Sequence, residues 1–341
     1  MKNNEFQKLV DQNLSGLVWD ERKRQKVLHA LNEEEKPVKK FSTTFILIAA
    51  IVCLSVTALA AGLIFSPKYD AIRVADLDFN ADLIINAASP ASPDLFVRAP
   101  VETMLANIFG TKNLLDYARR IAGCKVVFVS SSEVYGKATP RKEGFLESDC
   151  GDVDLLNVRS SYPMGKRSAE TLCVCYEKEY GVNVSIVRPG HVYGPTASPS
   201  DRRVSSAFAW QAARGESIVL KSAGLSRRSY THCEDCASAI MTVAEHGAPG
   251  EAYNIANRDG VCSIRQMAEI MADEGGVDLR IENASVADAA EFNPMDNSCL
   301  DPSKLESLGW RGEIGYEAGF RMTVRAIREM FLSAKGVVHG A

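Results

Sequence analysis

Two side chains that could transfer a proton stand four residues apart, Tyr162 and Lys166 in the segment Tyr-Pro-Met-Gly-Lys. On a helix this spacing places both side chains on one face. An unperturbed tyrosine has a pKa of about 10, and a neighbouring ammonium group favours the phenolate and lowers that pKa. The pair therefore predicts that Tyr162 is a general base that takes a proton from a substrate hydroxyl.

A polar cluster, Ser130-Ser131-Ser132-Glu133, precedes this pair and directly follows an apolar run that starts at Lys125. Open α/β sheets build their sites at the carboxyl ends of strands. Surface helices also produce a Tyr-x-x-x-Lys pair by chance, and serines at a strand end also form ordinary polar loops. The order of strand, serine cluster and Tyr-Lys pair favours an active site.

Short apolar strands alternate with helices from about Asp76 onward, which predicts an α/β fold with a doubly wound parallel sheet. The strands are expected at 82–88, 125–130 and 182–187, and the helices at 101–121 and 162–180. After Pro195 the spacing loosens, as in a smaller α+β lobe. This lobe contains three helix signals: a capping box from Ser263 to Gln266, an Asp301-Pro302 helix start and a last helix over 316–333.

An uncharged run of 25 residues, Phe41 to Phe65, precedes these elements. A helix of that length spans a bilayer core of about 30 Å, which predicts a single transmembrane helix. A buried core helix and a cleaved signal peptide are the disfavoured alternatives, because core helices seldom lack polar residues over such a length and the charged segment before the run is too long for a signal. The predicted divisions are a polar helical segment 1–40, a membrane helix 41–65, a partial nucleotide-binding domain 70–195 and a substrate-binding lobe 196–341.

Composition excludes several functions. The net charge of −4, without a basic stripe carrying aromatic residues, argues against a nucleic-acid partner. Nine scattered cysteines, an odd number, are typical of reduced thiols. The pairs Cys173/Cys175 and Cys233/Cys236 have no matching second pair at the spacing of a zinc site, so no metal is expected.

From about Asp76 to its C-terminus the sequence resembles the extended short-chain dehydrogenase/reductase family of NAD-dependent sugar-nucleotide epimerases, dehydratases and decarboxylases. The resemblance rests on Ala87-Ala88-Ser89-Pro90-Ala91-Ser92-Pro93, on Asn107-Ile108-Phe109-Gly110-Thr111, on the triad Ser131, Tyr162 and Lys166, and on Arg188-Pro189-Gly190-His191-Val192-Tyr193-Gly194-Pro195 followed by Arg228. The resemblance implies a truncated Rossmann-like sheet and NAD as the cofactor.

Within the family, Ser132-Glu133, the Ala-Ser-Pro-Ala-Ser-Pro run and Arg203-Val204 favour UDP-glucuronate decarboxylases over 4,6-dehydratases and 4-epimerases, while His191 departs from the asparagine typical of decarboxylases. The resemblance implies a catalytic group, cofactor contacts and substrate contacts. The catalytic group is Ser131, Glu133, Tyr162, Lys166 and Asn107; the cofactor contacts are Ala87, Ala88, Ser89, Tyr162, Lys166 and Arg188; the substrate contacts are Ser132, His191, Arg203 and Arg228.

The implied reaction oxidises C4 of a UDP-sugar. Tyr162 removes the hydroxyl proton, Ser131 holds the oxygen and NAD takes the hydride. The resulting β-keto acid loses carbon dioxide, with its sugar positioned by Glu133 and Arg228, and the hydride is then returned. The family also implies a homodimer formed through the helices at 101–121 and 162–180.

The glycine-rich phosphate loop of the family has no counterpart, since the first 80 residues contain only Gly16 and Gly62. The strand at 82–88 is therefore expected at a sheet edge, and three readings stay open: an enzyme that binds NAD weakly or through a partner, a membrane-anchored pseudoenzyme, and a fusion of a membrane anchor to a truncated enzyme. Lysines before the apolar run place residues 1–40 in the cytoplasm. The enzymatic part of this single-pass membrane protein is instead expected in the cytoplasm, because NAD and nucleotide sugars are found there.

Overall fold

A computed structural model of the protein describes residues 80–137, 144–282 and 297–334. The predicted segments 1–40 and 41–65 lie outside these ranges. None of the helices in the described ranges combines the length and the apolar character needed to cross a membrane.

The described chain forms strands and helices in alternation. The strands are β1 Leu83–Asn86, β2 Lys125–Val129, β3 Asn183–Pro189, β4 His191–Tyr193, β5 Ile218–Leu220, β6 Arg227–His232, β7 Ala252–Ile255, β8 Val261–Ser263, β9 Leu279–Ile281 and β10 Asn297–Ser298. The helices are α1 Pro93–Arg98, α2 Pro100–Ala118, α3 Ser161–Tyr180, α4 Val204–Arg214, α5 Cys233–His246, α6 Ile264–Gly275, α7 Ser303–Glu306 and α8 Tyr316–Ala334. Short 3₁₀ turns cover Ser132–Tyr135, Val158–Ser160 and Arg258–Gly260.

The central sheet has the order β1-β2-β3-β7, and every pairing in it is parallel. Its strands are apolar and buried because helices cover both faces. Helices α2 and α3 pack on one face, around Leu115 and Cys173, and α5 packs on the other, around Ala239 and Val243. The predicted α/β fold with a Rossmann-like parallel sheet is confirmed.

Strand β1 lies at the edge of this sheet and pairs, within the described ranges, with β2 alone. The pairing starts with Leu83 opposite Lys125 and ends with Asn86 opposite Phe128. The expected edge position of this strand therefore holds for the described residues. Because β1 and β2 are parallel, their carboxyl ends lie at the same edge of the sheet, where the predicted catalytic residues follow β2.

The smaller lobe contains a sheet of β10, β6 and β4, with β8 antiparallel to β6, and a two-stranded sheet of β5 and β9. Helices α4, α6 and α8 bury a core against it that includes Phe208, Met267, Met271 and Phe320. The capping box at the start of α6 is confirmed, since the Ser263 and Gln266 side chains each accept a hydrogen bond from the other's backbone N–H.

The predicted boundary between residues 195 and 196 does not separate the two parts of the molecule. Strand β7 pairs with β3, and α5 packs on the central sheet, although both follow residue 196. Leu305 of α7 joins the same core. The sequence of β7, Ala-Tyr-Asn-Ile, is short and interrupted by Asn254, so it lacks the apolar run by which the other central strands were predicted.

Two element ends also differ from the prediction. Helix α2 ends at Ala118 rather than 121. The helix predicted from Asp301-Pro302 is the single turn α7, with Pro302 at its N-cap instead of its first position. Asp301 precedes the N-cap, and its Oδ1 accepts a hydrogen bond from the backbone N–H of Ser303 at 2.8 Å.

Candidate active site

Ser131 and Tyr162 meet at the carboxyl end of β2. Ser131 caps the 3₁₀ turn that follows β2, and its Oγ accepts a hydrogen bond from the backbone N–H of Glu133 at 3.2 Å. Tyr162 lies buried in the first turn of α3, and the Ser131 side chain acts to lower its pKa. The structure thus brings together two of the predicted catalytic residues, which lie far apart in the sequence.

Lys166 lies one turn further along α3. Its Nζ donates a hydrogen bond to the carbonyl oxygen of Val129 at 2.7 Å, and it lies 5.9 Å from the centre of the Tyr162 ring. Burial lowers the pKa of Lys166 to about 7, against the charge of Glu170, which raises it. An ammonium group has three donors, so Lys166 retains hydrogen-bonding capacity for a ligand.

The pKa of Tyr162 differs from the sequence-based expectation. Burial of the phenol, followed by the charge of Glu133, raises this pKa to about 12, while Ser131, Arg203 and Arg159 act in the opposite direction. The prediction that Lys166 brings the pKa of Tyr162 below its ordinary value is therefore wrong in this structure. Its physical reason is desolvation, which the spacing of the two residues does not reveal.

Glu133 is held by an arginine that the sequence analysis did not single out. Its Oε2 and Oε1 accept hydrogen bonds from Nη1 and Nη2 of Arg159 at 2.9 and 3.0 Å. The Arg159 guanidinium also lies over the Phe96 ring, 5.6 Å from its centre, and Phe96 stacks on Tyr162 with ring centres 4.2 Å apart. Arg159 could have been found from its place three residues before Tyr162, whereas Phe96 carries no sequence signal beyond being apolar.

Asn107 reaches the same region from α2. Its Nδ2 donates to the carbonyl oxygen of Thr103 at 2.8 Å, while its buried Oδ1 has no partner in the described part of the chain. Gly165 of α3 lies against this part of α2, where an added Cβ would stand 3.3 Å from the Met104 Cα and 3.4 Å from the Asn107 Cβ. The buried Oγ of Ser130 likewise has no partner among the described residues.

The predicted cofactor residues Ala87, Ala88 and Ser89 follow β1 at the same end of the sheet. The backbone N–H of Ala88 donates to Oδ1 of Asn86 at 3.3 Å, and the Ser89 hydroxyl donates to the Pro90 carbonyl at 3.2 Å. These bonds define the shape of the turn after β1. They engage no group of α3, so a role of this turn toward a cofactor stays a prediction.

Arg188, the remaining predicted cofactor contact, is engaged by protein groups. It donates to both carboxylate oxygens of Glu170 at 2.9 and 2.7 Å, to the Tyr135 hydroxyl at 3.1 Å and to the Glu147 carbonyl at 2.8 Å. Burial lowers the pKa of Arg188, but its bonds to Glu170 outweigh burial and raise it overall. The guanidinium therefore ties α3 to β3, and its predicted role toward the cofactor stays untested.

The substrate-side residues form a cationic wall. Nδ1 of His191 is buried without a partner in the described ranges, and burial, together with the charges of Arg228 and Arg203, lowers the pKa of His191 to about 3. Arg203 donates to Asp201 from Nε and Nη2 at 2.9 and 2.6 Å. Arg228 is buried and donates to the Arg227 carbonyl at 2.9 Å.

Ser132, the fourth predicted substrate contact, is buried at the start of the 3₁₀ turn, beside Ser131 rather than on this wall. Within the described ranges, the histidine, cysteine and acidic side chains form no group of three that could hold a metal ion.

The site fits the nicotinamide-ribose end of NAD. The unpartnered Oδ1 of Asn107 and Oγ of Ser130 are buried polar atoms that need a hydrogen bond, and the spare donors of Lys166 suit ribose hydroxyls. No residue of the described ranges is assigned to the pyrophosphate. A site with these groups can transfer a hydroxyl proton beside a nicotinamide.

Comparison with known proteins agrees with this chemistry. The sequence profile of the NAD dependent epimerase/dehydratase family matches residues 68–256. The chain is 33% identical over 259 residues to UDP-glucuronic acid decarboxylase 6 of Arabidopsis thaliana, which covers 74% of this chain and 72% of that relative. It is 34% identical over 254 residues to UDP-glucuronic acid decarboxylase 1 of Danio rerio, covering 74% and 58%.

Solved structures share the fold. The UDP-glucose 4-epimerase of Thermotoga maritima, solved with UDP-glucose, superposes with a TM-score of 0.65 at 24% identity, covering 73% of this chain and 78% of the epimerase. The dTDP-glucose 4,6-dehydratase of Streptomyces venezuelae, solved with NAD bound, gives a TM-score of 0.63 at 27% identity, covering 73% of each chain. With a profile match over more than half of its length, the chain belongs to the NAD-dependent epimerase/dehydratase family.

Proposed function

We propose that this chain is an NAD-dependent enzyme that decarboxylates UDP-glucuronate. The observation that carries the proposal is the meeting of Ser131, Tyr162 and Lys166 at the carboxyl end of β2, with Arg203 and Arg228 acting on the nearby His191. The names of its curated relatives, UDP-glucuronic acid decarboxylases, support the same substrate. Sugar-nucleotide 4,6-dehydration and 4-epimerisation are the alternatives within the family.

Tyr162 is the residue that accepts a proton in this proposal. As the phenolate, which the Ser131 side chain favours, Tyr162 takes the proton of the sugar C4 hydroxyl and becomes a neutral phenol, while Ser131 holds the sugar oxygen. The charges of Arg159 and Arg203 favour the phenolate against the effect of burial. When bound, NAD supplies a hydride acceptor, and later a hydride donor, for the sugar carbon.

The arginine wall selects a carboxylate-bearing sugar. His191 is neutral and Asp201 pairs with Arg203, so the net positive charge of this wall is that of Arg228. An anionic sugar acid gains charge-assisted hydrogen bonds there, whereas a neutral hexose gains fewer. This difference favours decarboxylation over epimerisation of a neutral sugar. Asn107, Ser130 and Lys166 would hold the nicotinamide end of the cofactor.

The test is an assay of carbon dioxide released from UDP-glucuronate in the presence of NAD, with the product identified by mass spectrometry. Tyr162→Phe should lower the rate by roughly 10² to 10⁴. Tyr180→Phe, at an exposed position on the same helix, is the matched control and should keep the parent rate. Unchanged release by Tyr162→Phe would exclude this mechanism, and turnover of UDP-glucose or dTDP-glucose instead would favour the alternatives.

An inactive, membrane-anchored protein is the second candidate. It is favoured by the near absence of glycine from the first 80 residues, where the family has its phosphate loop. Calorimetric titration of the detergent-purified chain with NAD separates the two candidates. Micromolar binding would exclude the inactive protein, and absence of binding at millimolar NAD would exclude an enzyme that binds NAD without a partner.

We also propose that residues 41–65 anchor the protein in the cell membrane as a single pass. The enzymatic part is placed in the cytoplasm, where NAD and nucleotide sugars are found, although the lysines before the run favour the opposite orientation. Protease protection of a tag after Ala341 in intact cells is the measurement. Cleavage of the tag from outside would contradict the cytoplasmic placement.

Helices α2 and α3 are proposed to form a homodimer interface. Their outer faces expose Val101, Phe109 and Val174 beside a shallow cavity of about 380 Å³, lined by Ile108, Ser168, Thr171, Leu172 and Cys175. Burying such an apolar face against a second copy is favourable. Light scattering of the parent and of Phe109→Glu tests it; a monomeric parent would contradict the proposal.

A further inference from the structure

The Glu133–Arg159 pair occupies a protected position in the active site. The side chains are 17% and 10% exposed, and two parallel hydrogen bonds join the guanidinium to the carboxylate. Such a bidentate pair fixes both the position and the orientation of the carboxylate. Removing either partner would leave the other charge buried without its counter-charge.

The backbone holds Arg159 in place independently of this pair. Arg159 belongs to the 3₁₀ turn Val158–Ser160, and its N–H donates to Oδ1 of the capping residue Asn157 at 3.0 Å. The Ser160 hydroxyl, in the same turn, donates to the Asp154 carbonyl at 2.5 Å. The guanidinium is therefore anchored at its base before it contacts the active site.

Arg159 also reaches Tyr162 through an aromatic ring. Its guanidinium lies 5.6 Å from the centre of Phe96, and Phe96 stacks on Tyr162 with the two rings inclined by only 9°. The Phe96 ring thus contacts both the Arg159 guanidinium and the Tyr162 ring. Cation–π and ring-stacking contacts each contribute modestly, and here they act in series.

Four charged groups face Tyr162 from the elements around it. Glu133, on the turn after β2, raises the pKa of Tyr162, whereas Arg159 and Arg203 lower it. Lys166, on the helix of Tyr162 itself, lies 5.9 Å from the ring. The opposite effects of Glu133 and Arg159 offset each other only while both charges are present.

We propose that Arg159 is a positioning residue of this active site, which fixes the Glu133 carboxylate by both oxygens, offsets its charge beside Tyr162 and supports the Phe96 ring on which Tyr162 stacks. Glu133 is then a carboxylate that can face a sugar acid without repelling it. The kinetic part of this inference rests on the proposed function, whereas the ionisation of Tyr162 does not.

The ionisation of Tyr162 is measured on the full chain by ¹³C NMR with ¹³Cζ-labelled tyrosine, and Tyr162→Phe identifies the resonance. At pH 11 about a tenth of Tyr162 should be ionised, given a pKa of about 12. Glu133→Gln leaves Arg159 unopposed and should raise this fraction to about half, a shift of roughly one pKa unit. Glu133→Gln combined with Arg159→Met should lower it again, to between about a tenth and a half, because Arg159 affects this pKa less than Glu133 does.

The decrease in the double variant is the result that a purely structural role would not produce. If the double variant stays as ionised as Glu133→Gln, Arg159 exerts no charge effect on Tyr162, and the inference is overturned. Arg159→Lys provides a second arm, because it keeps the charge but loses the fork. This variant should keep the ionised fraction of the parent, and circular dichroism confirms that each variant is folded.

Carbon dioxide release completes the test. Arg159→Lys should lower kcat/KM about tenfold, mostly through kcat, because Glu133 is no longer held by two bonds. An unchanged kcat/KM in Arg159→Lys would refute the positioning role. If the parent itself releases no carbon dioxide, the proposed function fails, and the ionised fractions alone decide the role of Arg159.

Discussion

Replacing Glu170 with glutamine should lower the free energy of unfolding by about 3 kcal/mol. The Glu170 carboxylate on α3 binds Nε and Nη2 of Arg188 on β3 at 2.9 and 2.7 Å. Both side chains are nearly buried, at 11% and 13% exposed. The substitution keeps the shape of the side chain and removes its charge, so Arg188 remains as a buried cation.

The size of this loss of stability depends on the hydrogen bonds that Arg188 keeps in the variant. Losing one member of a buried ion pair costs roughly 3–5 kcal/mol. Arg188 retains the Tyr135 hydroxyl at 3.1 Å and the Glu147 carbonyl at 2.8 Å, and these acceptors place the cost at the lower end. For a chain of this size, with an unfolding entropy of about 2.1 cal/mol/K per residue, the melting temperature should fall by roughly 4 °C.

Urea and thermal unfolding, followed by circular dichroism, measure this loss. Glu179→Gln, an exposed position near the end of the same helix, is the charge-matched control and should change stability by less than about 0.5 kcal/mol. Replacing Glu170 and Arg188 together with methionine should recover most of the loss, because neither charge is then left unpaired. A Glu170→Gln variant as stable as the control would refute the reasoning, and loss of NAD binding at unchanged stability would instead assign Arg188 to the cofactor.

Three further substitutions test other parts of the structure. Burial lowers the pKa of Lys125 from 10.5 to about 8, so between these pH values the unfolded chain binds more protons than the folded chain. The free energy of unfolding should therefore rise with pH across that window, by up to about 3 kcal/mol. Urea unfolding of Lys125→Met should show no such rise, and an identical rise in this variant would contradict the assignment to Lys125. Gly190→Ala places a Cβ 2.6 Å from the Ser229 carbonyl oxygen and should cost about 1–3 kcal/mol in thermal unfolding, whereas an unchanged melting temperature would show that the backbone yields freely. Phe96→Leu should lower the free energy of unfolding by less than about 1.5 kcal/mol. It should slow carbon dioxide release about two- to tenfold, because Tyr162 loses its stacking partner. A rate equal to that of the parent would show that Phe96 contributes to packing alone.

The sequence predicts the elements of the sheet where the apolar pattern is local and uninterrupted. Strands β2 and β3 and helix α3 start and end within a few residues of their predicted bounds. Strand β7 is missed because Asn254 interrupts its apolar run, and because its partner β3 lies far earlier in the chain. Short strands that join a sheet late are specified by tertiary packing rather than by local pattern.

The site is predictable to the extent that its residues lie in ordered motifs. Ser131, Tyr162 and Lys166 come together because strand ends and helix starts meet at one edge of the sheet. The contacts of Phe96 and Arg159 depend on which side chains face each other after folding, and no spacing rule provides that. The pKa of Tyr162 depends on desolvation, which only the packed structure reveals.

Strand β7 is synthesised well after its partner β3, and this delay affects how the chain folds during translation. Strand β3 leaves the ribosome roughly sixty residues before β7, which at ordinary synthesis rates is a delay of roughly 3 to 12 seconds. During that time the β3 residues that pair with β7, such as Ile186, have no strand on one side, and Val187 lacks α5 on its face of the sheet. Nascent chains of this protein therefore pass through a stage with an unpaired, aggregation-prone sheet edge. A chain truncated near residue 195 would keep that unpaired edge.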